Sequence, residues 1–282
     1  MYGCNVLFVG GDKRQLYCAK ALYDMGYEVS AYGFDNVDDI FSGLMLFSNL
    51  KIAAILADAI VLPTPCIKDG FIYMPLSDYK VSFEELFKLI DKEKIIFGGF
   101  QKSIFNYLNQ REYKAYNFLG NEELTVYNAH LTAEGAVNLL MNSLESGMQS
   151  QRVLITGYGR IGKALAKILT SLNAKVTVAA RKKSDLAWAK ITGTDTIILK
   201  HIKSLKDYDL IINTVPAPVI DNRLFAAVNN KIILELASDS FIEPKDNCLI
   251  KANGIPGKYA PMDCGRMMAD IIDEELGGLC ND

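Results

Sequence analysis

The stretch that decides the fold is Arg152 to Arg181, RVLITGYGRIGKALAKILTSLNAKVTVAAR. An apolar run, RVLIT, enters a glycine-rich turn. A segment with apolar residues at helical spacing follows, and KVTVAA returns to an apolar run. Strand, glycine loop, helix, strand is the context in which G-x-G-x-x-G carries meaning. Gly157 allows the tight turn, Gly159 lets backbone approach a pyrophosphate, and Gly162 lets the helix pack close to the strand. Together with Tyr158, Arg160 and Ile161 they present the N–H groups of a helix start, where the helix dipole favours an anion.

Outward from this unit the same rhythm continues. DLIINTVPAPVI (209–220), NKIILELAS (230–238) and CLIKANGIPG (248–257) each carry an apolar strand that ends near polar residues or proline. In an open α/β sheet such strand ends border the ligand crevice, which makes Asn213, Thr214 and Pro216 candidates for contact with a cofactor. Where a nicotinamide enzyme using the unphosphorylated cofactor carries an acid after its second strand, this chain reads Ala179, Ala180, Arg181, Lys182, Lys183, Ser184. Arg181, Lys182 and Ser184 suit a 2′-phosphate, so NADP is favoured, with NAD as the alternative.

The N-terminal half repeats the alternation. NVLFVGG (5–11), EVSAYGF (28–34), AIVLP (59–63), KIIFGGF (94–100) and ELTVYN (123–128) read as strands. KRQLYCAKALYDMG (13–26), FEELFKLIDKEK (83–94) and SIFNYLNQREYKAYNFL (103–119) read as helices, the first stopped by Gly26. A long helix over HLTAEGAVNLLMNSLESGM (130–148) joins the halves, with Thr132 and Glu134 as its cap region and Gly147 as its stop. A last helix spans roughly residues 263–276.

The expected class is therefore α/β, with two doubly wound parallel-sheet domains, Rossmann-like or flavodoxin-like. Residues 1–129 form the first, residues 130–262 the second, and 263–282 pack back on the first. Length supports two cores: the chain has 282 residues, half of them hydrophobic. A net charge of −3 speaks against nucleic acid as a partner. No stretch approaches the roughly 18 apolar residues of a membrane span, and the apolar N terminus reads as a buried strand rather than a signal peptide, so a cytoplasmic location is expected. Cys4, Cys18, Cys66, Cys248, Cys264 and Cys280 contain no CxxC pair, and no metal site is expected.

Several segments together resemble one family, that of the A subunit of dipicolinate synthase. They are VGGDKRQ (9–15), AYGFDN (31–36), YNAHLTAEGA (127–136), VLITGYGRIGKALA (153–166), VAARKKSDLA (178–187), NTVPAPVI (213–220), ELAS (235–238) and IPGKYAP (255–261). The resemblance implies a formate/glycerate dehydrogenase-like arrangement, with the active site in a cleft between the domains. It also implies oxidation of dihydrodipicolinate to pyridine-2,6-dicarboxylate during sporulation, with NADP⁺ as hydride acceptor and the flavoprotein-like B subunit of dipicolinate synthase as partner. A homo-oligomer is expected as well. For a small dicarboxylate, Asp12, Lys13 and Arg14 after the first strand are candidate substrate contacts, Arg14 foremost because a guanidinium pairs bidentately with a carboxylate. Thr132 and Gly135 join them. Glu134, Tyr259 and Lys258 are the candidate catalytic groups, the first two as proton acceptors.

Two departures stand out. Leu131 replaces the proline that the family carries before its Thr-Ala-Glu-Gly run. After ELAS, a proline-glycine-glycine loop gives way to Asp239, Ser240, Phe241, Ile242, Glu243. Two further readings stay open: another NAD(P)-linked oxidoreductase of a small carboxylic acid, or a nucleotide-binding protein whose chemistry resides elsewhere.

Overall fold

The computed structural model describes residues 3–38, 40–237, 241–244, 246–252 and 254–277. The chain divides into two compact units, Met1–Thr125 with Ala260–Asp282, and Val126–Tyr259. In chain order the first unit holds β1 (Asn5–Val9), α1 (Lys13–Met25), β2 (Glu28–Tyr32), β3 (Leu44–Phe47), α2 (Leu50–Leu56) and β4 (Ala59–Val61). After these come a small antiparallel hairpin, β5 (Ile67–Lys68) with β6 (Phe71–Ile72), then α3 (Phe83–Phe87), β7 (Ile95–Gly98), α4 (Lys102–Gln110) and β8 (Lys114–Asn117). Six strands form one parallel sheet in the order β3-β2-β1-β4-β7-β8. Helix α5 (Glu122–Asn142) runs across the division between the units.

The second unit has β9 (Arg152–Thr156), α6 (Arg160–Ser171), β10 (Lys175–Ala180), α7 (Lys183–Ile191), β11 (Asp195–Ile198), β12 (Leu210–Asn213), α8 (Asn222–Ala226), β13 (Ile232–Glu235), β14 (Cys248–Lys251) and α9 (Ile255–Tyr259). Its parallel sheet has the order β11-β10-β9-β12-β13-β14. Both sheets thus follow the Rossmann order 3-2-1-4-5-6, which reverses direction between the first and fourth strands.

The central strands are apolar on both faces because helices cover both. Val6 and Phe8 of β1 point into one core with Cys18 and Leu22 of α1, while Leu7 and Val9 point into the other with Ala53 and Ile60. The second sheet divides likewise, Val153 and Ile155 on one side and Leu154 on the other. The last helix, α10 (Pro261–Gly277), packs in the first core through Met268, Ala269 and Ile272. Gly265 is required there: a Cβ would stand 2.6 Å from Tyr17 Cβ and 2.7 Å from the Arg14 carbonyl oxygen.

Three sequence expectations need correction. ELTVYN is not a strand: residues 123–128 are the first turns of α5. Asn121 accepts from Leu124 N at 2.9 Å, and Glu122 and Glu123 occupy the first turn, where the helix dipole favours acids. Thr132 and Glu134 consequently lie inside the helix rather than at its cap. The helix expected over 103–119 breaks after Gln110: Glu112 has φ 61°, and Lys114–Asn117 is the edge strand β8. Within the IPGKYAP segment, Ile255–Tyr259 form the short helix α9.

Candidate functional site

The second sheet reverses between β9 and β12, and the site forms at their carboxyl ends. Gly157 follows β9 with φ 93°, and its N–H donates to the Ala179 carbonyl at 2.8 Å. A Cβ there would meet Thr214 Oγ1 at 2.5 Å. The Thr214 hydroxyl donates to the Thr156 carbonyl at 2.7 Å, and its backbone N–H reaches the same oxygen at 3.1 Å. This pins the NTVP segment against the glycine turn. A Cβ at Gly162 would lie 2.4 Å from the Gly157 carbonyl oxygen, so only glycine lets α6 start this close to the turn.

Gly159 differs. It is the N-cap of α6 in extended backbone (φ −76°, ψ −167°), provides no side-chain cap, and a Cβ would meet nothing within 4 Å. The helix start therefore opens onto space rather than onto protein. That space is a cavity of about 590 Å³ lined by Gly157, Tyr158, Gly159, Arg160 and Ile161, by Arg181, Lys182 and Asp185, and by Thr214, Val215 and Pro216. Its volume lies within the range of ligand sites, roughly 300–1,000 Å³. Arg181, Lys182 and Ser184 are all exposed, and the first two line the cavity.

Two expected contacts have other work. Tyr158 is buried, its hydroxyl 3.1 Å from Thr192 Oγ1, so it serves the loop through its backbone. Asn213 is buried with its amide spent inside the unit. Oδ1 accepts from Thr156 Oγ1 at 2.5 Å and Val215 N at 3.2 Å, while Nδ2 donates to the Val215 carbonyl and to Glu235 Oε1 at 2.8 Å. Asn213 shapes the strand end. Glu235, buried at the end of β13, also accepts from Ala237 N at 3.1 Å. Sequence spacing singles out neither Glu235 nor Asp185. Asp185 sits in the first turn of α7, a position where an acid is ordinarily read as a solvated helix-start residue.

Thr132 donates to the Asn128 carbonyl at 2.7 Å, one turn back in α5. Gly135, expected to offer N–H groups to substrate, lies mid-helix. A Cβ there would meet Ile255 Cγ2 at 2.3 Å and Tyr259 Cβ at 3.0 Å, so the glycine lets α9 pack on α5. Half-buried Glu134 pairs with His130 Nε2 at 3.3 Å. Lys258 and Tyr259 are exposed.

In the first unit the sheet reverses between β1 and β4, and Asp12, Lys13 and Arg14 stand at that edge. Asp12 caps α1, accepting from Arg14 N at 3.0 Å, while Gln15 Oε1 accepts from Asp12 N at 2.9 Å. The Arg14 guanidinium pairs with Asp12 through Nε at 2.9 Å and Nη2 at 2.8 Å, and Nη2 also donates to the Thr64 carbonyl. Burial works against its charge, but the hydrogen bond and the charge of Asp12 outweigh burial and raise its pKa. Arg14 is thus a clasp between α1 and the β4 end, with Nη1 outside the Asp12 pairing. Lys13 is exposed at the first turn of α1. Burial pushes the Cys66 thiol up to about 12 and the Cys264 thiol up to about 11, so both stay protonated at neutral pH. Among the described residues no His, Cys, Asp or Glu grouping could hold a metal ion. No helix among them is long and apolar enough to cross a membrane. The altered stretch after Ser238 lies partly outside the described residues, at positions 239 and 240.

Comparison with known proteins finds a separate family likeness for each unit. Residues 5–119 match the family model of the N-terminal domain of the dipicolinate synthase A subunit. Residues 152–238 match the model described as NADP oxidoreductase, coenzyme F420-dependent. The dipicolinate synthase A subunit of Bacillus subtilis is 26% identical over 97% of this chain and 96% of its own length. The crystal structure of the A subunit from Bacillus halodurans superposes with a TM-score of 0.84 at 26% identity, covering 97% of this chain and 98% of that one. D-lactate dehydrogenase of Escherichia coli shares the fold at 14% identity, with a TM-score of 0.62 and 97% of each chain covered. The chain therefore resembles the dipicolinate synthase A subunit along nearly its whole length. Its second unit is of the NAD(P)-dependent oxidoreductase type.

Proposed function

We propose that this chain oxidises dihydrodipicolinate to pyridine-2,6-dicarboxylate with NADP⁺, as the A subunit of a dipicolinate synthase that works with a separate B subunit. The observation that carries the cofactor half is Gly159: the start of α6 has no side-chain cap, and open space stands where a side chain would be. Backbone N–H groups there hold the pyrophosphate, and Arg181 and Lys182 hold the 2′-phosphate. Bound in this cavity, the nicotinamide nucleotide supplies the hydride acceptor.

The substrate half rests on the likeness to dipicolinate synthase over both units. Loss of a hydride and a proton gives an aromatic ring, so the protein needs only a modest base beside its carboxylate-binding groups. Lys13 and the Nη1 edge of Arg14 take a substrate carboxylate, and Glu134 or Tyr259 accepts the proton. One observation favours a second reading for the cofactor: Asp185 lines the same cavity, and an acid there suits the free ribose hydroxyls of NAD.

The test supplies the purified chain with enzymatically generated hydroxytetrahydrodipicolinate, which loses water to give dihydrodipicolinate, and NADP⁺, with and without the B subunit. Dipicolinate is read by terbium luminescence. Product that depends on this chain supports the reading. A chain that binds NADPH yet forms no product in either mixture overturns the substrate and leaves the nucleotide site standing.

A further inference from the structure

A second concavity, of about 500 Å³, lies between α6 and α7, outside the glycine-loop cavity. Its walls are Tyr158, Lys163, Lys167, Thr170, Trp188 and Thr192. Trp188, the only tryptophan of the chain, is 62% exposed. Opposite it on α6 stand the exposed Lys163 and Lys167, with Lys163 Nζ 5.9 Å from the centroid of the Tyr158 ring. The Tyr158 hydroxyl donates to Thr192 Oγ1, whose own proton goes to the Ala189 carbonyl at 2.8 Å, so the ring is held as a fixed wall. The Thr170 hydroxyl is buried in this wall with no hydrogen-bond partner.

We propose that this groove is a second ligand site, for a planar aromatic anion. Each part of the groove asks for one part of such a ligand. Trp188 offers a π-face to a flat ring, which gains stacking and sheds water from two apolar surfaces at once. The two ammonium groups match one or two negative charges at the ring's edge. A neutral aromatic would leave both lysines unmet, and an aliphatic anion would leave Trp188 in water. Two sources share this chemistry, an aromatic carboxylate and a nucleotide base carrying phosphate.

The lone tryptophan makes the test direct, because all indole fluorescence comes from the groove. Isophthalate and AMP are the two aromatic probes, and cyclohexane-1,3-dicarboxylate is the control with the charges of isophthalate but no π-system. The expected result is saturable quenching by at least one aromatic probe, little by the control, and a Kd raised about tenfold in the Lys163→Gln/Lys167→Gln double variant. Saturation by isophthalate identifies a carboxylate ligand, and saturation by AMP alone identifies a nucleotide. No saturable quenching by either probe overturns the proposal, as does quenching equal to that of the control or unchanged in the lysine variant.

Discussion

Gly159→Ala and Gly162→Ala add the same methyl group three residues apart and should fail in different ways. At Gly159 the backbone is extended and a Cβ meets nothing within 4 Å, so the methyl fits the protein and enters the ligand space. The folded state loses only the small preference for glycine over alanine at an N-cap, at most about 1 kcal/mol, or about 4 °C in Tm for a unit of this size. Nucleotide binding loses at least one charge-assisted phosphate bond, worth about 1.5–3 kcal/mol, which raises Kd about 10- to 150-fold. At Gly162 the methyl would stand 2.4 Å from the Gly157 carbonyl oxygen. That oxygen is backbone in a turn pinned by Thr214, so relief requires α6 to move, at a cost of about 1–3 kcal/mol and a Tm lower by about 4–12 °C. Calorimetry measures the Tm of both variants, and NADPH fluorescence titration measures Kd. Gly159→Ala with wild-type affinity would refute the assignment of the helix start to phosphate, and Gly162→Ala with wild-type Tm would refute the close-packing argument.

Other expectations follow from single contacts. Arg181→Ala should weaken NADPH about 5- to 30-fold, an exposed charge pair with phosphate being screened by water, and leave NADH nearly unchanged. Equal losses in parallel titrations would shift the cofactor assignment toward Asp185 and NAD. Gly135→Ala drives a methyl to 2.3 Å from Ile255 Cγ2, so Tm should fall by several degrees. Its NADPH affinity should hold; a variant with normal Tm but lost affinity would return Gly135 to the ligand contacts. The hydrogen bond from Arg152 lowers the Asp209 pKa below its ordinary 3.8, so the pair stabilises the fold above that pH and loses its effect as pH falls through the lowered value. Asp209→Asn should therefore cost no more than about 1 kcal/mol at neutral pH, with the difference from wild type closing below about pH 4 in urea titrations. A difference that persists in acid would mean that something other than the carboxylate charge was lost.

The parts of the fold that are legible in the sequence are those where burial leaves no freedom. β1, β4, β7, β9 and β12 are covered on both faces and read as unbroken apolar runs, and α1 announces its end with Gly26 at φ 102°. Edge strands carry a weaker signal. β3 and β8 are half exposed: Leu44–Phe47 is an apolar run of only four residues, too short to stand out, and Lys114–Asn117 reads as part of a helix. The start of α5 is written in Asn121-Glu122-Glu123, an N-cap followed by two acids. Val126 and Tyr127, common in strands, and the cap-like Thr132 and Glu134 obscure it.

For the site, the glycine pattern locates the loop because each glycine answers a steric demand visible in sequence order. What spacing does not show is which polar groups are already spent. Asn213 and Arg14 stand out by their chemistry, and both are engaged by partners distant in sequence, Asn213 by Glu235 and Thr156, Arg14 by the Thr64 carbonyl.

The most direct test of the proposed activity is a stoichiometry measured without oxygen. Dihydrodipicolinate, NADP⁺ and the chain with its B subunit are mixed under nitrogen, so that no oxidant other than the nucleotide is present. NADPH is followed at 340 nm and dipicolinate by terbium luminescence. One NADPH is expected for each dipicolinate formed, with both signals falling together in Gly159→Ala at NADP⁺ concentrations that do not saturate the variant. Dipicolinate without matching NADPH, or neither product from a chain that binds the nucleotide, would contradict the proposed activity.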